Sequence, residues 1–300
     1  MLSLHRLLLL LLAATLAGCG GAMRVAYNNG DVAVRLLAHE YFDLHGDQTD
    51  AFKLQLARFH TWHRTEELPR YADIFHGAAR RVEKGLARED IVWAIGSVRE
   101  RTRALTAQAI DEAAPVIVML GPDNVIQLQK KLVSSNDKFA KEYLSGDERR
   151  NEHARAKRLR NRLEEWIGDL TAEQEALVEA YAHSMPRVAA VALEDRKRRQ
   201  RELFEILSEY RGKPELVNKV RAFAVGWEAQ RSAEYAQLAR QQEEGFIDLM
   251  VALDRTLTSR QRAHAVQRLE NFAREFRVLH AEGAPRSEPV RAANLHPAGT

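Results

Sequence analysis

Two histidines offer the plainest chance of chemistry in this 300-residue chain. His60 and His63 stand three apart in a segment that reads as helix, so both imidazoles can face one cation. Zinc needs a third or fourth ligand, and His39, Glu40, Glu66 and Glu67 fall within reach of a helical hairpin. The spacing alone is common. A packed or hydrogen-bonded histidine pair beside Trp62 is the plainer expectation, with His60 and His63 kept as weak metal candidates. No G-x-S-x-G, H-E-x-x-H or glycine-rich phosphate loop occurs, and no cofactor motif is found. The expectation is a protein that is not an enzyme. Cys19 is the single cysteine, so an intramolecular disulfide and a multi-cysteine metal site are both excluded.

The context of Cys19 gives it a different chemistry. Arg6 precedes an uncharged run from Leu7 to Leu16, apolar except for Thr15, followed by Ala17-Gly18-Cys19. A charged start, a short apolar core and small residues at a cleavage point describe an export leader. Leu16-Ala17-Gly18-Cys19 resembles the bacterial lipobox, whose cysteine thiol receives a diacylglycerol and becomes the mature N-terminus. The resemblance implies a signal peptide at 1–18, a lipidated start and tether at 19–30, and a palmitate-bearing envelope lipoprotein. Gly20 in place of aspartate implies sorting to the outer membrane, on its periplasmic face. The longest later apolar run, 113–120, holds Pro115 and is far short of the roughly 20 residues a span requires.

Formal charge is +3, and losing the leader removes Arg6 and no acid. This near-neutral balance does not suit nucleic acid, and the basic stretches Arg149 to Arg162 and Arg196-Lys197-Arg198-Arg199-Gln200-Arg201 lack interleaved aromatics for base stacking. Their first reading is a solvated helix surface; the functional one is contact with phosphates, anionic lipid or an acidic client. The four tryptophans, Trp62, Trp93, Trp166 and Trp227, read as packing residues, with Trp62 and Trp93 in the core.

The elements that must position these residues are helices nearly throughout. Helix formers dominate and breakers come at wide intervals, which predicts an all-α fold of elongated hairpins or a bundle with long amphipathic helices. The expected helices are 31–44, 48–66, 70–85, 88–112, 123–144, 147–167, 172–184, 187–211, 214–256 and 259–281. The one at 214–256 would be about 65 Å long at 1.5 Å per residue, bent at Gly226 or Gly245. The helical domain spans 31–281, and 282–300 reads as a disordered tail.

Helix starts carry a weak repeat. Leu170-Thr171-Ala172-Glu173-Gln174 and Leu257-Thr258-Ser259-Arg260-Gln261 share L-T-x-x-Q, and 44–48 and 120–124 are degenerate relatives. Thr171 with Gln174, and Thr258 with Gln261, predict capping boxes in which the threonine hydroxyl takes the N–H three residues on and the glutamine returns a bond to the cap. Leu170 and Leu257 would pack like a hydrophobic staple. Seams run through Leu128, Leu132, Ser135 and Phe139, and through Ala265, Leu269, Phe272 and Phe276. The motif distantly resembles the Spy/CpxP-like periplasmic proteins, which implies chaperone-like binding of envelope proteins. A closer resemblance is to an uncharacterised family of Gram-negative lipoproteins, carried by Tyr27-Asn28-Asn29, His60-Thr61-Trp62-His63-Arg64 and Glu67-Leu68-Pro69-Arg70-Tyr71. It implies the helical fold and no activity. Where members of that family often carry tryptophans, this chain has Val32-Ala33-Val34-Arg35-Leu36. The expected partners are the bilayer through Cys19 and envelope protein clients, with a specific structural partner as the alternative.

Overall fold

The computed structural model describes residues 20–283, and all regular structure in them is helical. The helices are α1 (Gly20–Asn28), α2 (Gly30–Phe42), α3 (Asp47–Trp62), a π turn (His63–Glu67), α4 (Leu68–Lys84), α5 (Arg88–Val118), α6 (Pro122–Tyr143), α7 (Glu148–Ile167), α8 (Ala172–Ser184), α9 (Val188–Glu209), α10 (Leu216–Val225), α11 (Ala233–Thr256) and α12 (Ser259–Glu282). No described helix is long and apolar enough to cross a membrane. Cys19, the leader and residues 284–300 lie outside the described residues.

Four expectations are corrected. Residues 20–28 are not a loose tether. They form α1, whose Met23 is buried among Leu68, Ala72, Phe272, Phe276 and Leu279. The expected helix 214–256 is two helices. α10 ends at Gly226, and α11 restarts where the Ser232 hydroxyl accepts from the Tyr235 N–H (3.2 Å). Pro115 lies inside α5 without ending it. It falls in the last turn, where only one ladder bond is forfeited. Pro69 does not separate two helices; the chain stays helical through it by way of the π turn.

The packing of these helices repeats. α2, α3, α4, α5 and α6 correspond in order to α7, α8, α9, α11 and α12. α3 packs on α5 as α8 does on α11, and α2 on α6 as α7 does on α12. α4 carries Pro69 as its second residue and α9 follows Pro186, and each is followed by a glycine in the left-handed region, Gly85 (φ +91°) and Gly212 (φ +73°). Such a φ suits a residue without a Cβ. The halves are exchanged rather than side by side. α4 of the first half lies along α12 of the second, α9 of the second lies on α6 of the first, and α5 meets α11. α1 and α10 have no counterpart.

Two of the three cores follow this exchange, and the third lies within the second half. One joins Leu68, Ala72, Phe272, Phe276 and Leu279 of α4 and α12. A second joins Leu128 and Leu132 of α6 to Leu207 of α9 and Leu216 and Val220 of α10. A third joins Leu163, Val178, Leu249 and Leu253 of α7, α8 and α11. The expected seams face inward: Leu128, Leu132 and Phe139 are buried, as are Ala265, Phe272 and Phe276. α3 alone among the long helices of the first half buries no residue fully.

Candidate functional site

The π turn organises the densest polar cluster. Leu68 N–H donates to the His63 carbonyl, five residues back, so the Arg64 carbonyl loses its usual α-helical donor. Its π-register donor would be the N–H of residue 69, which is proline and has none. The orphaned oxygen is taken by the His280 ring through Nδ1 (3.1 Å). A carbonyl only accepts, so His280 carries its proton on Nδ1. The Arg64 side chain returns the contact: Nη1 donates to the Leu279 carbonyl (3.1 Å) and Nη2 to Asn28 Oδ1. One residue thereby ties the ends of α1 and α12 to the junction of α3 and α4.

Tyr27 completes the clasp. Its hydroxyl lies 2.9 Å from His63 Nδ1, its ring centroid 4.9 Å from that of His60, and the Arg64 guanidinium sits 4.9 Å over its face. Burial holds the Tyr27 phenol well above its ordinary range. It is therefore the donor, and His63 Nδ1 the acceptor. Burial, the neighbouring His60 and the Arg64 charge push His63 down to about 4, and burial with Arg64 also lowers His60. Both imidazoles are neutral at pH 7. His60 Nε2 is buried without a hydrogen-bond partner.

Below the histidines sits Glu67, fully buried. Its Oε1 receives Arg70 (2.9 Å) and Arg101 of α5 (3.1 Å), and its Oε2 has no hydrogen-bond partner. Burial and the Glu67 charge push the Tyr71 phenol up. A buried carboxylate tolerates its desolvation only with such partners.

As a metal site the constellation is incomplete. The described residues contain no grouping of three or more His, Asp, Glu or Cys side chains able to hold an ion. The helpers considered for His60 and His63 are engaged elsewhere. Glu40 pairs with Lys131 (3.1 Å), Glu66 with Arg70 (3.6 Å), Glu67 with the two arginines, and His39 Nδ1 contacts the Leu44 carbonyl (3.3 Å). What the cluster does chemically is to hold a neutral imidazole, a protonated phenol and a guanidinium in one locked arrangement.

The L-T-x-x-Q motifs form their capping boxes. Thr171 N–H donates to Gln174 Oε1 (3.0 Å) and Gln174 N–H to Thr171 Oγ1 (3.3 Å); Thr258 and Gln261 repeat this at 3.0 and 3.2 Å. The structure adds a link between them. Gln174 Nε2 donates to Gln261 Oε1 (3.0 Å) and to the Thr256 carbonyl (3.1 Å). Gln261 Nε2 donates to Gln174 Oε1 (2.9 Å) and to the Asp169 carbonyl (2.9 Å). Each amide uses its full hydrogen-bonding capacity in the buried interior. Leu170 packs on the third core. The degenerate motifs pair likewise: Gln48 Nε2 donates to Asn124 Oδ1 (3.0 Å) and the Met119 carbonyl (2.8 Å), and Asn124 Nδ2 to the Phe42 carbonyl (2.7 Å).

The basic stretch at 196–201 is not a wholly solvated face. Arg196 and Arg199 are buried. Arg199 lies over the Phe223 and Trp227 rings (5.1 and 5.8 Å), and Arg196 donates to Ser135 Oγ (2.8 Å). Buried Asp195 receives Arg198 and the Ser232 N–H (each 2.8 Å). Burial pushes Arg199 down to about 10. This stretch holds the loop before α11 in place. Trp166 packs against Phe75 and Phe272, and Trp93 lies under the Arg81 guanidinium (3.7 Å). Trp62, expected in the core, is only partly covered. It lines an open groove with Leu54, Ala57, Thr61 and Thr65, rimmed by Arg58, Glu66 and Glu112.

Sequence reasoning located His60, His63 and the capping residues. It missed the roles of Arg64, Glu67, Arg101 and His280. A signal existed for the first: a proline five residues after Arg64 deprives that carbonyl of a donor.

The fold and clasp define an all-α protein of internally repeated, exchanged halves. The model of a family of unknown function, DUF6279, matches residues 40–236, the greater part of the chain, and the protein belongs to that family. Comparison with curated proteins and with solved structures returns no match.

Proposed function

We propose that this protein is a lipid-anchored envelope protein, held through Cys19 on the periplasmic face of the outer membrane, that binds a protein partner without catalysing a reaction. The observation that carries this reading is the groove between α3 and α5. Leu54 is 60% exposed, and with Ala57 and Trp62 it forms an apolar floor between the charged Arg58–Glu112 pair (3.2 Å) and Glu66. Thr61 and Thr65 spend their hydroxyls on their own helix carbonyls and present methyl groups instead. An apolar strip rimmed by opposite charges suits an amphipathic segment of another protein. The groove lies on the helix that carries the π turn, so the clasp fixes its wall. Its shallow form favours one dedicated partner over a broad cradle for unfolded clients, which makes the scaffolding alternative the preferred form of the reading.

A photoreactive amino acid at Leu54 or Thr61 of the full-length chain, expressed in cells, tests this. One dominant adduct, lost on Trp62→Ala, is expected. A diffuse ladder would favour the chaperone form. No adduct beyond that from a probe at Val98, exposed on α5, would overturn partner binding by this groove.

A further inference from the structure

The solvent-facing side of α1 and α2 differs in kind from that of the other helices. Its exposed residues between 21 and 36 are Gly21, Ala22, Val25, Asn28, Asn29, Val32, Ala33 and Leu36. Not one of these is charged, although charged residues make up 29% of the chain; the charged neighbours Arg24, Asp31 and Arg35 flank them, half-exposed and ion-paired, Arg24 with Glu275 and Arg35 with Asp31. Val25, Val32 and Leu36 are 65%, 45% and 66% exposed. Spacings of seven and four put them on one stripe, and the turn at Asn29 keeps the helical hydrogen bonding, with Asn29 N–H to the Val25 carbonyl (3.1 Å) and Val32 N–H to the Asn29 carbonyl (3.2 Å). At 1.5 Å per residue the stripe from Val25 to Leu36 is roughly 17 Å long. It ends at exposed His39 and Glu40, the latter bound to Lys131. By contrast α12 exposes Arg260, His264, Gln267, Asn271, Arg274 and Arg277.

Position identifies what covers this stripe. α1 starts at Gly20, the residue after Cys19, so no spacer separates the acylated residue from the folded body. The opposite side of α1 is fixed: Met23 is buried in the α4–α12 core, Arg24 reaches Glu275 (3.1 Å), and Tyr27 is held by the clasp. A helix that begins at the membrane surface and is fixed to the body on one side can turn only its other side to the lipid. Exposed aliphatic residues flanked by the half-exposed Arg24 and Arg35 match an interfacial helix.

We propose that the Val25–Val32–Leu36 stripe of α1 and α2 lies on the lipid leaflet, so that the anchor holds the whole body flat against the membrane in one orientation. This rests on the lipid-anchored reading above. The stripe, and not the acyl chains alone, then sets which face of the molecule looks into the periplasm.

The test uses the mature full-length chain in vesicles of phosphatidylethanolamine and phosphatidylglycerol. Acylation occupies the single native thiol, so Val25→Cys, Val32→Cys or Leu36→Cys takes a fluorescent label at one place. Vesicles with brominated acyl chains should quench labels at 25, 32 and 36 and leave one at Val98→Cys bright. Val32→Asp should restore fluorescence at 36 while the protein still floats with the vesicles. Equal brightness at 36 and 98 in a floating protein overturns the proposal alone. A label at 36 shielded from aqueous iodide yet untouched by bromolipid assigns the stripe to a second protein surface and overturns it as well. A protein that does not float overturns the anchored reading, and this proposal with it.

Discussion

At the scale of single residues, His63 carries the clearest linkage between protonation and structure. Its folded pKa is pushed down to about 4 from an ordinary 6.5, because its ring is buried beside His60 and Arg64. Above pH 6.5 neither the folded nor the unfolded form is protonated there, and the group contributes no pH dependence. Between 6.5 and 4 the unfolded chain binds a proton that the folded chain refuses, so stability falls with acidification. The loss approaches about 3 kcal/mol at 1.36 kcal/mol per unit. Denaturant titration at pH 7.5 and 4.5 should show that drop, and His63→Phe should flatten much of it. An unchanged slope in the variant would assign the acid sensitivity elsewhere. Arg64→Ala acts on the same cluster by a different route: it leaves the Leu279 carbonyl and Asn28 without their donor. It should cost about 2 kcal/mol and raise amide exchange in α1 before the rest of the body.

At the scale of elements, the two L-T-x-x-Q starts are joined parts. Thr171→Ala removes one capping oxygen and should cost about 1 kcal/mol. Gln174→Ala removes the cap's return bond and also leaves a Gln261 Nε2–H without its acceptor and the Thr256 carbonyl without its donor in the interior, so it should cost about 2–4 kcal/mol. Because the two amides share bonds, Gln174→Ala with Gln261→Ala should be less costly than the sum by about 1–3 kcal/mol in chemical denaturation; additivity would show the link to be energetically idle. Pro115 gives the opposite sign. It sits in a helix it did not end, and Pro115→Ala restores an N–H to the ladder, so the thermal midpoint should rise, by about 1–3 kcal/mol in stability terms.

These elements also show what was legible in the sequence. Capping boxes are local, and Thr171, Gln174, Thr258 and Gln261 announced them within five residues. The amide pairing between them spans 87 positions, and no local pattern encodes it. The helix split at Gly226 escaped because its neighbours keep a helical composition, while the restart depends on Ser232 and on the distant buried Asp195 holding its N–H. Arg196 and Arg199 looked like surface because charge runs usually are. Their burial comes from Phe223 and Ser135 on other helices and from Trp227 in the turn before α11. The π turn was hidden because Pro69 reads as a stop, and only His280, more than two hundred residues on, takes the freed carbonyl.

At the scale of the whole molecule, the exchange of α4 and α9 between halves decides how the chain unfolds. If each half were a domain, residues 20–143 would fold without 148–283. They cannot bury their own cores: Leu68 and Ala72 need Phe272, Phe276 and Leu279, and Leu128 and Leu132 need Leu207. Each half alone would expose a full apolar face of α4 or α9, where every buried large side chain contributes about 1.5–3 kcal/mol, against total stabilities of about 5–15 kcal/mol for domains. Residues 20–143 and 148–283 produced separately should therefore show little fixed tertiary structure and aggregate, while co-expression of the two should give a stable heterodimer with the ellipticity of the intact chain. The intact body should unfold in one transition by circular dichroism and by tryptophan fluorescence alike. Two separated transitions, or a monomeric first fragment with a cooperative melt of its own, would mean that the amide pairs and the α4–α12 and α9–α6 contacts join two finished domains instead of building one.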